Sequence, residues 1–353
     1  MYSSFRPGKV WYDTDGKRIQ AHGGSIICVD NVFYWYGENK DGITGNATGE
    51  KCKFWHKGVN LYSSVDLYNW KSEGVFCFEV KDKKHPFHPA NIMDRPHIIF
   101  NKKTNKYVLW AKCCSGLTFS TSAFAICVSD SIKGPFKYIK SVAYFPFTAG
   151  DFDMFEEDGK GYIIYENPHT EIICQTLTDD YTDLTEEYSS HLKRKCPPYT
   201  REAPAFFARK GRKFLLTSGT TGYYPNTTQL DELSLGVHKE WTTLGNPCVN
   251  DVCNNSFHSQ FSSVFKHPFI DDLYIALGDR WLIDIPPNFN GQEIFERMFD
   301  DEKEPLPKDF ALEEYSDENT SEANYVFLPI QFKEDGTPYI IWKNEWRVKD
   351  FTK

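Results

Sequence analysis

His22-Gly23-Gly24-Ser25-Ile26-Ile27-Cys28-Val29, followed by Phe33-Tyr34-Trp35-Tyr36-Gly37, is the stretch whose pattern decides the fold. A polar residue opens a short apolar strand, and an aromatic-rich strand begins within 14 residues of it. The same order returns four times. Asp94 stands ahead of His97 to Phe100 and then Tyr107 to Trp110, and Asp151 ahead of Met154-Phe155 and then Tyr162 to Tyr165. Glu202 precedes Ala205 to Ala208 and Phe214 to Thr217, and Gln260 precedes Ser263 to Phe265 and Leu273 to Leu277. Successive polar residues are separated by 72, 57, 51 and 58 positions, so each occupies one place in a repeating unit. No long amphipathic helix pattern lies between the units, and their β-branched and aromatic content favours strands.

Turn-rich segments complete the units: Tyr62-Ser63-Ser64-Val65-Asp66-Leu67, Val128-Ser129-Asp130 and Leu177-Thr178-Asp179-Asp180-Tyr181. Strand, hairpin, strand and turn is how a four-stranded blade reads in sequence. Five units predict an all-β, five-bladed β-propeller, with one domain spanning 1–353. Tyr325 to Ile330 and Tyr339 to Trp342 read as strands that return to close the ring. The acidic, strand-poor region 288–320 reads as an insertion or long loop in the last blade. The first strand of each blade lines the central channel, so the five polar residues are expected to meet at one mouth of it. Any one of them could simply make a turn; five in register, three of them carboxylates, point to a site.

Composition narrows the function. The chain has 353 residues, 40% hydrophobic and 25% charged, with a net charge of -9. Its longest basic run is Lys193-Arg194-Lys195, which excludes a phosphate-neutralising surface and so nucleic acid as a partner. The 9 Trp, 20 Tyr and 28 Phe suit both strands and the stacking of sugar faces. Ten cysteines show neither metal nor CxxC spacing. His22 and His258 do not amount to a metal set, so neither a catalytic metal nor a cofactor is expected. Met1 to Val10 has no apolar run and no membrane span is visible, which favours a reducing cytoplasm. A leader ahead of these residues would instead place the protein in the periplasm or outside the cell. The sequons Asn46-Ala47-Thr48 and Asn226-Thr227-Thr228 do not decide between the two.

Asp94-Arg95-Pro96 and Glu202-Ala203-Pro204 stand at equivalent places, each a carboxylate two residues before proline. Proline is expected to make the intervening residue extended and so to aim the carboxylate. Carboxylates gathered at a channel mouth fit glycoside hydrolysis, which needs a proton donor at the leaving oxygen and, for inversion, a water activated on the other face. Glu202 is assigned as the acid, because it reaches further than Asp and its neighbours Ala203 to Phe206 are apolar, which favours the protonated form. The competing reading of Glu202 is an ion pair with Arg201. Asp151, in the neighbouring blade, could orient Glu202 and hold its proton by like-charge repulsion. Asp153 would face the same way on a regular strand.

Together these motifs resemble glycoside hydrolase family 43, and within it the exo-β-1,3-galactanase branch. The resemblance runs through most of the chain: Trp11 to Gly16, Gln20 to Gly24, Tyr34 to Glu38, Tyr62 to Trp70, Asp94 to Pro96, Ser129-Asp130, Gly134 to Phe136, Arg201 to Ala205, Ser218 to Asn226, Ser259-Gln260 and Asp279 to Trp281. It implies a five-bladed propeller, inversion, Glu202 as general acid and Asp151 as the carboxylate that tunes it. Most of the family has an aspartate base where this chain has His22. In the galactanase-like branch the resemblance implies instead a carboxylate at Asp94 and an amide at Gln260. The base candidates are therefore Gln260, Asp94 and His22, in that order. The resemblance also places Glu38, Thr220 and Gly222 near the terminal sugar, with Tyr36, Tyr223, Trp281 and Trp110 as aromatic candidates for the pocket walls.

The expected function is exo-acting, inverting removal of terminal galactose from β-1,3-galactan or galacto-oligosaccharides. The rivals are an α-L-arabinofuranosidase, β-xylosidase or β-galactofuranosidase of the same fold, and a carbohydrate-binding propeller without catalysis. An unrelated interaction propeller would show tandem WD-type signatures, which are missing.

Overall fold

The computed structural model describes residues 1–42, 54–77, 80–114, 122–233 and 235–352; the Asn46 sequon lies outside them. Five antiparallel sheets are arranged around a channel. The first holds β1 (His22–Val29), β2 (Val32–Glu38), β3 (Val59–Ser64) and β4 (Lys71–Cys77). The second holds β5 (Ile92–Asn101), β6 (Lys106–Cys114), β7 (Ser122–Ser129) and β8 (Lys137–Val142). In the third are β9 (Phe152–Glu157), β10 (Lys160–Asn167), β11 (Glu171–Leu177) and β12 (Leu184–His191). The fourth comprises β13 (Arg201–Arg209), β14 (Arg212–Gly219), β15 (Gln229–Glu232) and β16 (Thr242–Gly245). After the short β17 (Cys248–Val249), the fifth has β18 (Gln260–Lys266), β19 (Tyr274–Arg280), β20 (Asn324–Phe332) and β21 (Pro338–Ile341), with β17 pairing in parallel on its outer edge.

Each blade is a run of consecutive strands, and apolar side chains fill the five interfaces between neighbouring blades. Because successive strand residues face opposite sides, one strand serves two interfaces. Ile98 packs toward blade one and Ile99 toward blade three; Ile163 and Ile164, Leu215 and Leu216, and Ile275 and Ala276 divide in the same manner. That is why these strands read as unbroken apolar runs rather than as alternating ones.

The last strands differ from the sequence expectation. Tyr325 to Ile330 and Tyr339 to Trp342 complete blade five and lend no strand to blade one. The seam is instead side-chain packing and hydrogen bonds, among them Gly8 N–H to the Tyr325 carbonyl (2.7 Å) and Gly23 N–H to Asp279 (3.0 Å), plus a clasp in which Phe5 and Trp346 exchange backbone hydrogen bonds (2.9 and 3.1 Å) and stack at 4.2 Å. The region 288–320 does lie within blade five, between β19 and β20, and it carries a helix, α1 (Gly291–Phe299).

Candidate active site

In a hairpin, the start of one strand lies beside the end of the next. His22 is paired with Glu38, Asp94 with Lys112, Glu202 with Ser218 and Gln260 with Asp279. Glu166 donates its backbone N–H to the carbonyl of Asp151 (2.8 Å). Every blade therefore brings two polar residues, not one, to the same end of the channel. At His22, Asp94 and Glu202 the pairing slips into a bulge immediately afterwards. The residue that follows each is left-handed: Gly23 (φ 59°), Arg95 (φ 53°) and Ala203 (φ 47°). This corrects the expectation that the proline would hold Arg95 and Ala203 extended. A bulge re-aims a side chain at the cost of local strain, about 1–3 kcal/mol for a non-glycine residue.

The strand ends enclose a cavity of about 530 Å³, lined by Glu38, Asp94, Arg95, Lys112, Asp151, Glu166, Glu202, Thr220, Gly222, Tyr223, Gln260 and Trp281, among others. On one side the charges are tightly paired. Arg95 holds Asp151 through Nε (3.0 Å) and Nη2 (2.8 Å), and Lys112 bridges Asp151 and Asp94 at 2.9 Å each. Trp55 Nε1 donates to the other Asp94 oxygen (2.6 Å), while Glu38 pairs with Lys40 (2.9 Å) and accepts the Arg95 N–H (3.1 Å). Burial opposes ionisation of Asp151 and Asp94, but the adjoining cations outweigh it and hold both below the usual carboxylate range.

Glu202 is placed differently. It is partly buried in the pocket wall and accepts a hydrogen bond from Gln260 Nε2 (3.0 Å). Its neighbour Arg201 turns away, bonding the Thr217 hydroxyl and the carbonyls of Thr217 and Thr227, so the ion-pair reading of Glu202 does not hold. Burial, then the charges of Glu166 and Asp151, push the Glu202 carboxyl well above its ordinary value. Gln260 is saturated: its nitrogen also donates to Ser218 Oγ (2.8 Å), and its oxygen accepts from Arg95 (2.6 Å) and Trp281 Nε1 (3.0 Å).

The sequence profile of Glycosyl hydrolases family 43 matches residues 20–260. The chain belongs to this family. It is a glycoside hydrolase of a family that works by inversion. Among solved structures this family-43 enzyme is similar to a family-43 β-1,3-galactosidase (TM-score 0.81, 27% identity, over 99% of this chain and 65% of that one). A second family-43 β-1,3-galactosidase, solved with galactodeoxynojirimycin, gives a TM-score of 0.77 and 28% identity over 97% of this chain and all of that one. The exo-β-1,3-galactanase of Phanerochaete chrysosporium, solved with β-1,3-galactotriose, shares the fold (TM-score 0.75, 22% identity, 98% and 68% coverage). The chain thus spans about two thirds of the first of these and the whole of the second. No curated protein matches it significantly.

Three of the expected site residues lie away from the pocket of the family-43 enzyme. His22 is fully buried, its ring nitrogens held by Asp279 (2.9 Å) and Gln20 (3.0 Å), and it stacks on Tyr325 behind Trp281. With no free nitrogen and no face on the cavity, it is neither a base nor a substrate contact. Tyr36 packs between blades one and two, its hydroxyl accepting the Ile98 N–H (3.1 Å). Trp110 packs between blades two and three and donates to the Tyr181 carbonyl (2.8 Å). Both lie within their strands, where side chains point sideways into the blade interfaces. Asp153 likewise ties blade three to blade four through the Phe206 N–H (2.8 Å). Among the described residues no group of three metal-ligating side chains converges.

The sequence reading missed Lys112, Glu166, Arg95 and Trp55. The first two were within reach, since Glu38, Lys112, Glu166, Ser218 and Asp279 are all polar residues at the end of an apolar second strand.

Proposed function

We propose that this family-43 enzyme removes terminal galactose from β-1,3-linked galactan or galacto-oligosaccharides with inversion, and that Glu202 is its general acid. The observation that carries this reading is the contrast inside one pocket: Asp94 and Asp151 are clamped by cations, whereas Glu202 meets an amide and is driven toward its protonated form. The sugar is read from the two β-1,3-galactosidases that resemble the chain over 97% or more of its length, one of them solved with galactodeoxynojirimycin. A cavity walled by all five blades, rather than a groove across the ring, favours release from a chain end.

Water attacks the anomeric carbon as the bond to the leaving oxygen breaks. Glu202 gives its proton to that oxygen, and the water's proton passes to a base. Asp94 is the better acceptor here. Each of its oxygens takes one donor and retains a lone pair, whereas both Gln260 oxygen sites are occupied and both its N–H groups are given away. Gln260 then orients Glu202, and Asp151 anchors Arg95 and Lys112.

The test follows β-1,3-galactobiose by proton NMR. Wild type is expected to release α-galactose first, and Glu202→Gln to lose about 10²–10⁴-fold in kcat. In the same assay, Asp94→Gly with added azide is expected to form the α-galactosyl azide. Turnover of only an arabinofuranoside or xyloside would discard the sugar assignment, and turnover of no glycoside would leave a binding propeller.

A further inference from the structure

The inner pocket is charged, whereas the side of the cavity formed by α1 is apolar, with Glu318 beside it engaged by the Tyr224 hydroxyl. Phe295, Met298 and Phe299 line the cavity from α1, and Leu312 adjoins them. Their i, i+3, i+4 spacing puts the three on one helical face. Met298 and Phe299 are each 46% exposed. Scattered exposed apolar residues are ordinary, but a contiguous patch continuing a catalytic pocket marks a binding surface. The wall is also fixed in place. Asn290 caps α1 by accepting the Gln292 N–H (2.8 Å), and it donates to the carbonyls of Cys253 and Asn254 (3.0 Å each). Asn255 donates to the carbonyls of Pro287 and Phe289 (2.9 and 2.8 Å), and the Tyr224 hydroxyl donates to Glu318 (2.7 Å). A surface ordered beforehand loses little freedom when a ligand arrives.

We propose that this face of α1 is the leaving-group subsite and that it accepts an apolar aglycone, an alkyl or aryl group joined to the released sugar. The inference rests on the glycosidase reading of the pocket. A leaving galactosyl unit can lay its apolar face on Phe295 or Phe299, but the face offers its hydroxyls no donor or acceptor, so an alkyl or aryl group in the same place gains more from the buried apolar area.

The experiment compares kcat/KM for methyl, butyl, hexyl and octyl β-galactosides, whose alkanols differ little as leaving groups. Wild type is expected to gain about fourfold for each methylene that reaches the wall, hence at least about tenfold from methyl to octyl. In Met298→Ala/Phe299→Ala that octyl-to-methyl ratio is expected to fall below about threefold, with Tm reporting on the fold of the variant. A flat wild-type series, or a ratio unchanged in the variant, overturns the proposal while leaving galactose release intact. If another sugar is released, the same alkyl series on that sugar decides the wall, and only the galactose assignment falls. Absence of turnover on every glycoside sinks both.

Discussion

Glu202 must keep its proton until the leaving oxygen needs it, and three influences hold it there: burial first, then Glu166, then Asp151. Asp151 has Arg95 and Lys112 against it, whereas Glu166 meets only backbone N–H groups, those of His169 (3.2 Å) and Asp151, with no ion pair among the described residues. Glu166 is itself pushed up to about 7, by burial and then by Asp151. Above that pH it is charged and opposes ionisation of Glu202; below it, it is neutral. Glu166→Gln should therefore move the alkaline limb of the kcat/KM profile to lower pH. The two profiles should coincide well below about 7 and part above it. A purely structural role for Glu166 would lower the whole profile without moving the limb.

At the scale of strands, position along a strand decides whether a residue serves packing or the pocket. The openings of the first strands were legible because five polar residues interrupt apolar runs in register. Tyr36 and Trp110 were misplaced because residue type alone does not say which way a mid-strand ring points. Lys112 and Glu166, at the ends of two second strands, escaped notice because each closes a run otherwise read as core. α1, at nine residues, was too short for its periodicity to stand out from an acidic loop. Lys112 shows how much such an end can carry. Substituting Lys112→Met leaves two buried carboxylates without their shared cation, a loss of about 3–5 kcal/mol. Asp94 and Asp151 have depressed pKa values in the folded chain, so the stability Lys112 lends them is complete above the unfolded carboxylate range, about 4, and is lost as pH falls through the folded values. Urea unfolding should show a wide gap between wild type and variant at pH 7 that narrows in acid. A gap independent of pH would assign the loss to packing.

Across the whole molecule, five similar interfaces share the load, and one of them has a clasp. Phe5 is 1% exposed and packs with residues of both blade one and blade five. Phe5→Ala is expected to cost about 3–5 kcal/mol, seen as a lower Tm, while a variant that melts like wild type would show that the Phe5 ring is not what holds the seam. No sheet is divided between the first and last blades. The ring is thus a hoop of butt joints, where a lap joint would need one sheet to take its strands from two distant parts of the chain. Cyclic order is what the pocket requires, and the point at which the polypeptide is cut is secondary. A circular permutant opened between β12 and β13, with its old ends joined near the clasp, would present the same neighbours in the same sequence around the channel.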